Sequence, residues 1–163
     1  MGESDSMSPA PALEGDGLGR LTLGGARYLL IRPETLVGLQ KAVEGALGAR
    51  AAACIAAGGR AGGARATASL DGTARERVSR LLRTGGEIGW GEFALERLTA
   101  TELAVSVRHS AVADAYGPSA VPVCHLIRGV LESLAGSIFG RSRLVVETAC
   151  VAMGAPACRF VAS

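Results

Sequence analysis

Four side chains near the end of this chain have the types and spacing to share one metal ion. They are Cys124, Glu147, Cys150 and Cys158, set 23, 3 and 8 positions apart. Three thiolates and one carboxylate complete a tetrahedral zinc shell, and a shell filled by protein alone is of the structural kind. Cys150 closes one extended stretch and Cys158 opens the next, so a hairpin brings the two thiols together. Glu147 precedes Cys150 by three residues, and strict strand alternation sends such a pair to opposite faces. A shared site therefore requires a bulge or an early end to the strand. Cys124 stands at the start of a helical pattern, where the helix amino terminus favours a thiolate. The spacing is not that of a CxxC knuckle. On the residues alone a second reading stays open, with Cys124 and Cys150 as small core residues and Glu147 as an exposed strand carboxylate.

Other chemistry-bearing residues point less far. His109, Ser110 and Asp114 invite comparison with a hydrolytic triad, but strand neighbours face opposite ways and no nucleophile elbow is present. No catalytic residue is expected, and the chain reads as a binding protein before an enzyme. His125 adjoins Cys124, yet successive helical residues diverge by about 100°, which favours a packing or surface role. Cys54, on an alanine-rich helix, is expected in the core. With 23 glycines and few aromatics, the interior has room for an apolar cleft of the kind small ligands occupy. Trp90, Phe93, Val107 and His109 are the candidate lining residues.

Seventeen Lys and Arg against fifteen Asp and Glu give a net charge of +2, so no footprint for nucleic acid or an anionic membrane is expected. The six arginines from Arg60 to Arg83 fit the wet faces of helices. No apolar run approaches the roughly 18 residues of a membrane span, and no secretory pattern opens the chain. A cytoplasmic location is expected, and with it free or metal-bound thiols rather than disulfides.

The elements that must position these residues follow from periodicity. The Ser, Pro and Gly-rich segment 1–19 reads as a disordered tail, leaving 20–163 as one domain. Leu21 to Leu23 and Arg27 to Ile31 form a hairpin about Gly24 and Gly25. A helix runs from Pro33 to Gly48 with Leu36, Leu39, Val43 and Leu47 inward. Helix-prone residues 49–57 precede GGRAGG at 58–63, which should break or bend the helix. These glycines are no phosphate loop, since the Gly-Lys-Ser/Thr ending is missing. A further helix spans about Thr73 to Arg83, ended by Gly85 and Gly86. Segments 87–99 and 101–109 alternate as paired strands, a helix covers about 121–140, and 143–151 with 157–162 make a hairpin turned at Met153 to Pro156. The fold class is α+β: helices packed on an antiparallel sheet with a carboxy-terminal hairpin.

The run CHLIRGVLESLAGSIFGRSRLVVETACVAMGAPACRF resembles the carboxy-terminal signature of the 4-vinyl reductase domain family, with Cys at a helix start, Glu-x-x-Cys, Gly and a final Cys. GARYLLIRPETLVGLQ and GGEIGWGEF extend the resemblance over about residues 20 to 162. It implies a fold of the NO-signalling and Golgi-transport ligand-binding type, shared with the effector-sensing domains of phenol- and xylene-responsive activators and with vesicle-tethering subunits. It also implies structural zinc on Cys124, Glu147, Cys150 and Cys158, a small hydrophobic or aromatic ligand, and a homodimer. The aromatic sensors hold a phenolic hydroxyl with a Trp and an upstream His. Here Val107 stands at the Trp position and no His precedes His109, so phenol itself is disfavoured. The expected function is a small-molecule sensor or carrier. The alternatives are an accessory factor or reductase acting on a vinyl tetrapyrrole, for which no electron-carrier fingerprint is present, and a protein-interaction scaffold.

Overall fold

The computed structural model describes residues 13–163. The expected tail falls mostly outside them, although Glu14–Gly15 forms a short strand. The chain divides into two compact units, with the division between Arg32 and Pro33.

In the first unit, β1 (Glu14–Gly15), β2 (Leu21–Leu23) and β3 (Ala26–Tyr28) make an antiparallel sheet in that order. The second hairpin strand is shorter than expected, ending at Tyr28.

The second unit opens with α1 (Pro33–Leu47), whose buried positions are Val37 and Gln40. Leu39, expected inward, is 63% exposed. The helix turns Gln40 in instead, where its amide donates to the Val123 carbonyl and to Glu44. After a 3-10 turn, α2 (Ala51–Ala68) runs straight through GGRAGG without the expected break. The reason is tertiary. A Cβ on Gly59 would stand 2.2 Å from the Leu126 carbonyl oxygen, and one on Gly129 would stand 2.0 Å from that of Ala56. Glycine lets the two helix backbones touch, and that packing outweighs its poor helix propensity. Cys54 lies two residues before the buried Ala56, about 200° around the helix, and is exposed rather than in the core.

Helix α3 (Ala74–Glu87) begins at a Thr73–Glu76 capping box. It continues past Gly85 and Gly86, which were expected to end it, because Gly85 packs against the Phe93 ring. Strand β4 (Glu92–Leu98) consequently starts later than expected and pairs with β5 (Leu103–Arg108). A short helix not read from the sequence, α4 (Ala111–Tyr116), follows. His109 adopts φ 52°, a left-handed turn tolerated by His, and Ser110 then caps α4 through the Ala113 amide. Helix α5 (His125–Phe139) leads to β6 (Val145–Ala149) and β7 (Cys158–Ala162). The sheet is antiparallel throughout, in the order β4-β5-β7-β6.

The core lies between this sheet and the helices. Leu103, Val105 and Val107 alternate inward on β5, and Phe160 and Ala162 do so on β7. They meet Val78 and Leu82 of α3 and Ile127, Leu131 and Leu134 of α5. Among the described residues no helix is long and apolar enough to cross a membrane.

Candidate metal centre

Strands β6 and β7 solve the alternation problem posed by Glu147 and Cys150. Glu147 pairs with Phe160, but Ala149 already pairs with Arg159, so the register shifts between them. The strand then ends, and Val151–Met153 form a 3-10 turn closed by the Met153 and Ala155 amides on the Cys150 carbonyl. Gly154, at φ 88°, reverses the chain toward β7. The bulge and the early end together keep Glu147 and Cys150 on the buried side. Cys124, the N-cap of α5, approaches from the other direction.

The four ligand atoms all lie within 4.8 Å of one another, and all four residues are buried. Cys124 Sγ is 3.6 Å from Cys158 Sγ, which is 3.9 Å from Cys150 Sγ. A tetrahedron with Zn–S bonds of about 2.3 Å has S···S edges of about 3.8 Å, so the sulfur spacing fits such a shell. Glu147 Oε2 accepts the Cys124 amide at 3.0 Å, while Oε1 is buried without a hydrogen-bond partner. A cation would satisfy that oxygen.

Outer contacts also suit thiolates. The Val151 amide donates to Cys158 Sγ at 3.3 Å, and the Ser110 hydroxyl lies 3.4 Å from Cys124 Sγ. Ser110 is fully buried and was not foreseen in this role, although a Ser opening an Ala-Val-Ala-Asp run is an N-cap signal.

The proton distribution shows what the cluster lacks on its own. Hydrogen bonds to the Cys150 and Cys158 sulfurs, then burial, push the Cys124 thiol far up. Burial, then the Cys150 sulfur beside it, pushes the Glu147 carboxyl up to about 9. Cys150 and Cys158 are pulled down, each chiefly by the Cys124 hydrogen bond. Four buried anions cannot coexist here, so Cys124 and Glu147 keep protons that a cation would replace. The donor set therefore fits zinc.

The candidate ligand residues lie on, or just outside, the paired strands β4 and β5. Trp90 and Phe93 are half-buried against the core, Val107 is fully buried within it, and His109 is exposed at the end of β5. Phe93 stands opposite Val107, and Val107 opposite Cys158, in the strand register. A cleft of about 470 Å³ lies elsewhere, bordered by Glu44, Tyr116, His125, Arg128 and Glu147. No sequence pattern marked it, because its residues come from separate elements.

Comparison with known proteins agrees with the fold. Residues 103–163 match the model of the 4-vinyl reductase domain. Among curated protein sequences none matches the chain. The fold resembles the phenol-responsive sensory domain of the transcription activator PoxR with phenol, at TM-score 0.80 and 21% identity, over 91% of this chain and 82% of that one. It also resembles a vinyl-4-reductase family protein from Methanocaldococcus jannaschii, at TM-score 0.59 and 15% identity, over 83% and 82% of the two chains. A trafficking protein particle complex subunit 3 from Naegleria fowleri, covalently bound to palmitic acid, is similar at TM-score 0.57 and 12% identity, over 80% and 93%. The segment 103–163 therefore carries the signature of the 4-vinyl reductase domain family, on an α+β fold shared with a sensory domain and a trafficking-complex subunit.

Proposed function

We propose that this protein is a small-molecule sensor or carrier whose unit 33–163 is held in its binding shape by structural zinc. The observation that carries this reading is the buried cluster of Cys124, Glu147, Cys150 and Cys158. Its donors come from the start of α5 and from both strands of the last hairpin, so one ion would tie helix to sheet. The cluster leaves no ligand position for substrate, which suits a structural ion rather than a catalytic one. The likeness to a phenol-sensing domain supports ligand binding as the activity.

Signalling would pass through a homodimer in the cytoplasm. Leu29, Leu30 and Ile31, which follow β3, are 82%, 70% and 50% exposed, and adjacent apolar residues of this kind suit a contact between copies.

Metal analysis of protein purified without added zinc, joined to native mass spectrometry, tests the reading. About one zinc per chain and a co-purifying small molecule are expected. Metal-free, ligand-free protein of unchanged stability would favour a plain scaffold.

A further inference from the structure

The cleft of about 470 Å³ lies where the end of α1, the start of α2 and the start of α5 come together. Much of its wall is alanine and valine, and its size suits a small organic molecule. Two of its polar groups are held in place with bonding capacity to spare. The Tyr116 hydroxyl donates to Glu44 Oε2 at 2.7 Å, and the Lys41 ammonium sits 4.4 Å from the centre of its ring. Its oxygen remains able to accept. Arg128 donates one terminal nitrogen to the Ala52 carbonyl at 2.9 Å, which fixes the guanidinium across α5 and α2. Its Nε is closed off from the cleft, and its second terminal nitrogen makes no hydrogen bond among the described residues. Of the neighbouring carboxylates, Glu44 is engaged by Gln40 and Tyr116, and one oxygen of Glu147 by the Cys124 amide.

A guanidinium pinned by one bond at the wall of an apolar cleft, with a terminal nitrogen unbonded, is a fixed donor for an anionic group. We propose that this cleft is the ligand site and that it takes a small monocarboxylic acid with an apolar body. The carboxylate meets Arg128 and the body lies against Ala49, Ala52 and Val121. This rests on the ligand-binding reading above and specifies it. Because Glu147 borders both cleft and cluster, the site ends at the proposed metal centre.

Benzoate, titrated into the metal-replete protein by calorimetry and by amide chemical shifts, is the probe, with benzyl alcohol as its uncharged counterpart. Saturable benzoate binding is expected, about tenfold or more tighter than benzyl alcohol, as charged hydrogen bonds imply. Ala49→Leu, at an exposed rim position, should weaken it about tenfold by filling the cleft. Arg128→Gln should weaken it similarly, and its melting curve reports whether the lost Ala52 bond has unfolded the protein. Benzoate binding that neither variant weakens would overturn this cleft while leaving the ligand-binding reading intact. Equal affinity for benzyl alcohol would overturn the carboxylate class. Absence of binding would overturn the inference, and the co-purification experiment then decides the broader reading separately.

Discussion

The Sγ atoms of Cys124 and Cys158 lie 3.6 Å apart although 34 residues separate them in the chain. No covalent bond joins them, and with Cys150 and Glu147 they form a buried donor set that a cation would satisfy.

Removal of one sulfur should therefore release the metal and loosen the fold. Cys150→Ser is expected to cost about 3 kcal/mol or more, lowering Tm by about 6–12 °C for a domain of this size. Calorimetry with metal analysis checks it. A variant that melts within two degrees or so of wild type and keeps its zinc would show that Cys150 is not a ligand.

Zinc uptake should release protons. At pH 7 the metal-free cluster keeps protons on Cys124, pushed up by its sulfur hydrogen bonds, and on Glu147, pushed up to about 9 by burial. Isothermal titration in buffers of differing ionisation enthalpy should report protons released on zinc binding, those of Cys124 and Glu147 among them. No release would mean that the ligands are already ionised.

The pH dependence of stability should reverse with metal. The Glu147 carboxyl is raised from an ordinary 4.5 to about 9. Its contribution to the metal-free protein is thus full below about 4.5 and declines as pH rises toward 9. The zinc-bound protein should instead gain stability with rising pH over the same window, because protons compete with the metal. Denaturant melts of both forms at pH 5, 7 and 9 check the crossing.

The contact of α2 with α5 predicts opposite signs for neighbouring glycines. Gly129→Ala would drive a methyl into the Ala56 carbonyl and should cost about 2–3 kcal/mol or more. Gly58→Ala and Gly62→Ala, with nothing within 4 Å of the new Cβ, should stabilise by about 0.5–1 kcal/mol. Urea midpoints distinguish the two classes.

That pair of helices also shows where reading the sequence stops. Local rules make GGRAGG a break, because glycine's cost is local while its benefit, the approach to Gly129, depends on a helix 70 residues away. Gly85 beside Phe93 misleads for the same reason. The grouping of Cys124, Glu147, Cys150 and Cys158 was legible because these residue types carry their chemistry with them, and because the turn after Cys150 is written in Gly154 and Pro156. The bulge beyond Glu147 could be required but not located. Ser110 and the Arg128 cleft were hidden, since each acquires its role only when separate elements meet.

Alkaline titration probes the wall of that cleft. The Glu44 hydrogen bond, then burial, pushes the Tyr116 phenol up to about 12. In a Tyr28→Phe background the remaining phenol should ionise near that value by absorbance. Glu44→Gln should bring it back toward 10, and any stability it lends should fade between about pH 10 and 12.

X-ray absorption at the zinc edge tests the central claim most directly. A shell of three sulfurs at about 2.3 Å and one oxygen at about 2.0 Å, in one site per chain, is the expected result. A shell of six oxygens or nitrogens, or zinc held equally well after Cys124, Cys150 and Cys158 are all replaced by serine, would contradict it.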